Sequence, residues 1–294
     1  MEKPVVSIII ASFNSRNTIL KTLKSLFRQT YQGVYEIVVV DSSTDGTGNL
    51  IHREFPMVRL FTFSERKFPG DARNYGIRQS TGNIIAFIDA DCIADSHWIE
   101  EIVLAHETPH PVIGGAVGNG NPESYVGWAY YFCEFSQWMP NFPRREMAEI
   151  PTCCLSITRD TFNNYGPFIE GVYCSDSAFH WRIARDGIRA RFVPSIMVSH
   201  INLTSFRKFL AHAPFHGKSF AQMRCRQQQF SRNRRLVFAL LSPSLPFLLF
   251  ARTAKRAFQN RVYLQQFITS SPLIFLGLAA WSFGEFLGYL NPEQ

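Results

Sequence analysis

Two aspartates one residue apart, Asp89-Ala90-Asp91, end a run of five apolar residues, Ile84-Ile85-Ala86-Phe87-Ile88. Carboxylates at the end of a buried strand in an open parallel sheet reach the crevice where such sheets take ligands, and there they can meet a cation or a polar group. Taken alone, the same residues read as a strand followed by a solvated acidic turn. Two other apolar runs end in the same way. Val5–Ile10 gives way to Ala11-Ser12-Phe13-Asn14, and Glu36–Val40 stops at Asp41. Further along, Ser175 and Asp176 open a helical stretch as candidate caps, and Phe192–Ser199 reads as a strand closed by His200.

These side chains need elements to hold them. After the first strand, Asn14 or Ser15 is an expected N-cap for a helix carrying Ile19, Leu20, Leu23, Leu26 and Phe27 on one face. The second strand leads through Ser42–Thr47 into a helix to about Phe55, and Val58–Phe61 is a weaker strand. A helix from Phe68 to Gln79 is stopped by Gly82 before the Ile84 run. Strand and helix alternate with short connections, which implies a right-handed doubly wound α/β sheet. Ser12, Asp41 and Asp89 then share one sheet edge. Past Val117 the pattern loosens: Gly114–Gly118 reads as a strand edge where sheet meets loop, and Glu149–Ile157 as a strand. The aromatics Trp128, Tyr130, Tyr131, Phe132, Phe135 and Trp138 are too dense to be mainly sugar platforms and read mostly as core or membrane-proximal packing.

The 294 residues suit one large α/β domain with an appendage, or two modest domains. Net charge is +7, and the excess is local: between Ile201 and Arg261 there are twelve Lys or Arg and no Asp or Glu. Interleaving with the apolar runs Leu236–Phe250 and Phe267–Leu290 points to a membrane lipid surface and away from nucleic acid. At about 1.5 Å per residue the first run is short for a core about 30 Å thick, and a spanning hairpin would put Arg252, Lys255, Arg256 and Arg261 across the membrane from the basic domain, so interfacial or re-entrant helices on the cytoplasmic face, with at most one span, are expected. The six cysteines form no C-x-x-C pair, which points to reduced thiols and gives a zinc site no support. The five-residue run after Met1-Glu2-Lys3-Pro4 is too short for the core of a signal peptide, so none is expected.

Four ordered stretches, Val-Ser-Ile-Ile-Ile-Ala-Ser-Phe-Asn, Glu-Ile-Val-Val-Val-Asp-Ser-Ser-Thr-Asp-Gly-Thr, Phe-Pro-Gly-Asp-Ala-Arg-Asn-Tyr-Gly-Ile and Gly-Asn-Ile-Ile-Ala-Phe-Ile-Asp-Ala-Asp-Cys, resemble family 2 glycosyltransferases of the GT-A fold. The resemblance runs over about residues 5 to 200. It implies a single Rossmann-like GT-A domain over residues 1–230, with a donor half of about 1–117 and an acceptor half of about 118–230, followed by a membrane-associated helical region at 231–294. It implies an inverting, metal-dependent transfer from a nucleotide-sugar donor to a saccharide or lipid-linked acceptor at the inner or cytoplasmic membrane, with the catalytic domain on the cytoplasmic side. Position by position, it gives Asp41 to the base edge, with Ser12 and Asn14 lining that pocket, and it turns Arg73 to the nucleotide. Asp91 becomes a ligand of Mg²⁺ or Mn²⁺, with Asp89 beside ribose and metal, and His200 lies near phosphate or metal. Asp176 becomes the general base. Arg207, Lys208, His216, Lys218 and Arg224 resemble a mobile basic loop over the diphosphate, or else are lipid-facing charge.

The chain departs from the family pattern at Ser175, where a glutamate is usual, and this leaves an alternative: a catalytically weakened nucleotide-sugar-binding or assembly protein of the same fold. A nicotinamide-dependent oxidoreductase is disfavoured because no G-x-G-x-x-G follows the first strand.

Overall fold

In the computed structural model residues 4–292 are described, so the first three residues, which entered the signal-peptide expectation, lie outside them. The chain forms two compact units, one of residues 4–118 with 143–200 and the other of residues 119–142 with 201–292.

The first unit is built on β1 (Val6–Ser12), α1 (Ile19–Leu26), β2 (Tyr35–Asp41), α2 (Thr47–Glu54), β3 (Arg59–Thr62), α3 (Pro69–Arg78) and β4 (Ile84–Phe87). The strands β1, β2, β3 and β4 are parallel. The Ile and Val runs of β1 and β2 lie inside the sheet with both faces covered, so their sequences show no alternation. Each fully buried Ile or Val contributes about 1.5–3 kcal/mol relative to exposure, enough to fix the pairing of these strands. The register pairs Ser12 with Asp41 and Ile9 with Phe87, so the polar ends emerge on one edge as expected.

Beyond β4 the sheet turns antiparallel. The later elements are β5 (Cys92–Ala94), α4 (Trp98–Ala105), β6 (Val112–Asn119), then in the second unit α5 (Tyr125–Phe135), then β7 (Arg145–Met147), β8 (Leu155–Thr158), α6 (Arg159–Tyr165), α7 (Ser175–Arg185) and β9 (Ala190–His200). Strand order is β3-β2-β1-β4-β8-β6-β9-β5, with β7 also on β9. Three local expectations change. Gly114–Gly118 is no sheet edge: it belongs to β6, interior to the sheet and buried, and its glycines admit close neighbours in place of bulk. A β-carbon on Gly115 would overlap the carbonyl of Ile196. The stretch from Glu149 is not one strand: Pro151 lacks a ladder donor, Thr152–Cys154 turn as a short 3-10 helix, and β8 starts only at Leu155. Neither Asn14 nor Ser15 caps α1, which begins at Ile19; Asn14 takes a left-handed conformation with φ of 51°.

The second unit is helical. It packs α5 with α8 (Phe206–Gln227), α9 (Arg232–Leu241), α10 (Leu245–Asn260) and α11 (Leu264–Leu290). The aromatics of α5 are core, as expected: Trp128, Tyr130, Tyr131, Phe132 and Phe135 are buried, with Phe132 edge-on to Phe267 at 5.4 Å. The basic segment that resembled a mobile loop is instead the 22-residue helix α8, capped by Ser205, whose hydroxyl accepts from Lys208 N. Its backbone lies directly on α11, because β-carbons at Gly217 and Gly284 would overlap the carbonyls of Trp281 and Pro214. The short apolar run Leu236–Phe250 sits within 29 continuous helical residues, since Pro243 and Pro246 each occupy a first-turn position where no N–H is needed.

The tightness at Gly115 gives a direct test. Gly115→Ala should destabilise the first unit by roughly 1–3 kcal/mol through overpacking against Ile196. Thermal and urea unfolding followed by circular dichroism checks this, and a wild-type midpoint would contradict the packing described.

Candidate active site

The first cluster forms where β1 and β2 end. Asp41 is buried, and its Oδ1 accepts from the hydroxyls of Ser12 at 2.7 Å and Ser43 at 2.5 Å. A buried carboxylate without such donors is costly, so the small polar turn after β2 is what allows Asp41 to sit there. Asn14 closes the turn from the other side. Its backbone N–H donates to Ser43 Oγ at 2.7 Å, and its Oδ1 accepts from Thr44 N at 2.9 Å. Asp45 accepts from Thr47 N at 3.1 Å and Thr47 Oγ1 at 2.5 Å at the start of the next helix. Ser12, Asn14 and Asp41 are therefore one hydrogen-bonded group, on two neighbouring strand ends.

The second cluster surrounds the acidic pair. Arg73 comes from α3, where Asp71 accepts from Phe68 N at 3.1 Å and locks the first turn. Its side chain is 7% exposed and donates from Nη2 to Asp89 Oδ1 at 2.7 Å. Asp91 stands on the other side of Ala90. There β5 pairs with β9 so that Cys92 faces His200, and His200 Nε2 lies 3.4 Å from Asp91 Oδ1. Enclosure pushes the Asp91 carboxyl above its ordinary range; His200 pulls it down, and the charge of Asp89 raises it.

The donor set here fits a hard divalent cation. Asp91 keeps 40% of its side chain exposed, and its carboxylate is near a second one and an imidazole. Cys92 lies among the same ligand atoms, and burial pushes its thiol well above the usual range.

Asp176 lies in the first turn of α7. Its Oδ2 accepts from Thr152 Oγ1 at 3.3 Å, and its Oδ1 from Ser177 N at 3.0 Å. The short turn Thr152–Cys154 joins this residue to the acidic pair, because the neighbouring Cys153 thiol is in contact with Cys92 and feels the charges of Asp89, Asp91 and Arg73. Reading the sequence as a strand through this region hid both Thr152 and its role; Pro151 was the available signal.

Three further residues escaped notice. Glu149 accepts from Ser177 Oγ at 2.8 Å and from Trp181 Nε1 at 2.7 Å, tying α7 to the chain before the turn. His180, neutral because burial lowers its basicity, accepts from Ile150 N at 3.2 Å or donates to Ile150 O at 2.9 Å. Asn74, next to Arg73, is buried and exchanges hydrogen bonds with Phe168 backbone, at 2.8 and 2.9 Å, which fixes the loop leading to α7.

Ser175 is 2% exposed. A β-carbon on Gly70 would lie 2.8 Å from its Oγ, so the position is packed against the start of α3.

Among known proteins, the profile described as glycosyl transferase family 2 matches residues 7–159. Glycosyltransferase AglE of Haloferax volcanii is 30% identical over 207 residues, which is 67% of this chain and 67% of AglE. The Escherichia coli protein named UDP-Glc:alpha-D-GlcNAc-diphosphoundecaprenol beta-1,3-glucosyltransferase WfaP is 35% identical over 97 residues, covering 32% of this chain and 37% of WfaP. The solved mannosyltransferase PcManGT of Pyrobaculum calidifontis, in complex with GDP-Man and Mn²⁺, superposes with a TM-score of 0.66 at 19% identity, over 100% of this chain and 89% of its own. That likeness shows the fold, which is GT-A.

Removing the charge beside Asp89 tests the architecture without reference to activity. Arg73→Met should lose roughly 1–3 kcal/mol, below the range for breaking a fully buried pair because Asp89 is one-third exposed. Chemical unfolding measures it, and unchanged stability would mean that the Arg73–Asp89 pair holds nothing in place.

Proposed function

The chain belongs to glycosyl transferase family 2, and from that premise we propose that it is an inverting glycosyltransferase that moves a sugar from a nucleotide-diphosphate donor to an acceptor hydroxyl. The observation that carries this reading is the set of polar groups at one edge of the parallel strands: Ser12 with Asp41, Arg73 with Asp89, and Asp91 with His200.

In this reading Asp41, oriented by the hydroxyls of Ser12 and Ser43, accepts hydrogen bonds from the donor base, and Asn14 shapes the turn around it. Asp91 and Asp89 would hold Mg²⁺ or Mn²⁺, with His200 beside Asp91, and the ion would supply positive charge to offset that of the leaving diphosphate. Arg73 acts through Asp89: it holds that carboxylate in one orientation and compensates its charge. Asp176 accepts the proton of the acceptor hydroxyl, since a neutral hydroxyl is a weak nucleophile. Thr152 fixes one oxygen of Asp176 and leaves lone pairs for that proton. The mannosyl and glucosyl relatives use nucleotide sugars by name, which supports the donor class. A lipid-linked acceptor is supported by the name of WfaP and by the second unit, where Leu240, Phe247, Ile268 and Phe283 are more than half exposed on α9, α10 and α11. Such a face suits the interface of a membrane, with the basic side chains of 201–261 near anionic headgroups on the cytoplasmic side. By length and composition the 29- and 27-residue helical stretches are also long enough to cross.

A screen of nucleotide sugars with and without Mn²⁺, read by thermal shift and by release of nucleoside diphosphate, identifies the donor. Asp176→Asn should keep donor binding while turnover falls by roughly 10²–10⁴-fold, and Asp91→Asn should lose the metal dependence of binding. Full turnover in either variant would remove these roles. Thr152→Val should cost about tenfold in kcat at unchanged donor affinity, the value of one orienting hydrogen bond. Metal-dependent binding by the wild type with no nucleoside diphosphate release would instead favour the weakened, binding-only protein.

A further inference from the structure

The second unit holds a cluster of ligand atoms of different chemistry. Glu134, in the last turn of α5, faces His212 and His216 of α8. The two histidines are four residues apart, so their rings share one helix face, with centroids 5.3 Å apart. His216 Nδ1 lies 3.4 Å from Glu134 Oε2, and one ligand atom from each of the three residues lies within 4.8 Å of the other two. A tetrahedral ion with bonds of about 2.1 Å separates its ligand atoms by roughly 3.4 Å, so the Glu134–His216 side of the figure is already set.

The surroundings suit a metal more than an ordinary ion pair. The side chain of Glu134 is only 16% exposed. Trp281 packs edge-on against His216 at 4.6 Å, and Tyr130 lies 5.6 Å from His212, so an aromatic wall limits water. The helix carrying both histidines is held against α11 by backbone contact at Gly217 and Gly284, which keeps the ligand-bearing face from rotating. An ion pair accounts for Glu134 and His216; it does not require the ring of His212 to converge on the same point.

We propose that Glu134, His212 and His216 form a transition-metal site of the zinc type. Two imidazoles and one carboxylate select Zn²⁺ or a similar borderline ion over Mg²⁺, in contrast to the Asp89–Asp91 pair, whose hard oxygens favour Mg²⁺ or Mn²⁺. Three protein ligands leave a fourth position for water or for an anionic group. Sites of this construction arise where facing helices of a bundle project ligands inward.

The test uses the full chain in detergent, stripped with a chelator and titrated with Zn²⁺ in the absence of nucleotide, with Co²⁺ as a visible-absorption reporter of coordination. The wild type and Asp91→Asn should each bind one Zn²⁺, whereas His212→Ala and His216→Ala should bind at least about a hundredfold more weakly and lose the tetrahedral Co²⁺ bands. His216→Asn, which can still hydrogen-bond Glu134, serves where the alanine variant unfolds; with wild-type circular dichroism it too should lose the ion. Zn²⁺ binding that survives the histidine changes, that disappears in Asp91→Asn, or that is absent from the wild type overturns the proposal. None of these outcomes depends on sugar transfer, so failure here leaves the transferase reading standing, and the converse holds.

Discussion

Two carboxylates separated by one residue repel, and here, after burial, the charge of Asp89 helps to raise the Asp91 carboxyl. Asp89 and Asp91 live with that repulsion because the chain supplies a different cationic or protonatable partner on each side. Arg73 reaches Asp89 from a helix that lies before β4, and His200 reaches Asp91 from the last strand of the unit. Neither partner is adjacent in sequence. The order β4-β8-β6-β9-β5 is thus more than a way of covering the core, because only a sheet that brings β9 beside β5 puts His200 opposite Cys92. The antiparallel half of the sheet exists in service of the acidic pair as much as of packing.

The same logic extends to Asp41 and Asp176. Each carboxylate at this edge carries donors of its own: two serine hydroxyls for Asp41, and a threonine hydroxyl with a backbone N–H for Asp176. Preorganisation of this kind costs stability elsewhere, and here the buried isoleucines and valines of β1 and β2 offset it.

Legibility from sequence followed the strength of the burial signal. The strands ending at Ser12, Asp41 and Asp89 could be read because both of their faces are covered, which leaves uninterrupted apolar runs. The interior strand β6 was misread because Gly114 and Gly115 do their work by being absent as side chains, and an apolar pattern does not register that. Thr152 was missed for a different reason. A three-residue turn has no periodicity, and the contact it makes, to Asp176, spans 24 residues. Asn14 has the side chain of an N-cap and uses it on Thr44, an assignment that only tertiary pairing of two strand ends could decide. For the histidines of α8, their spacing could be seen in the sequence but the carboxylate facing them could not, since Glu134 lies on another helix 82 residues before His216.

The contact of α8 with α11 through Gly217 and Gly284, extended by Gly288 at 2.6 Å from the Lys218 carbonyl to where its β-carbon would sit, has an evolutionary reading. Positions such as Leu240 or Phe247 can drift among apolar residues with little effect on the fold, because most of each side chain is exposed. The glycines have no synonyms: the smallest side chain that mutation can offer forces two backbones apart. Lineages descending from this chain should therefore keep a sparse, invariant glycine ladder along this helix pair while the greasy surface around it changes freely.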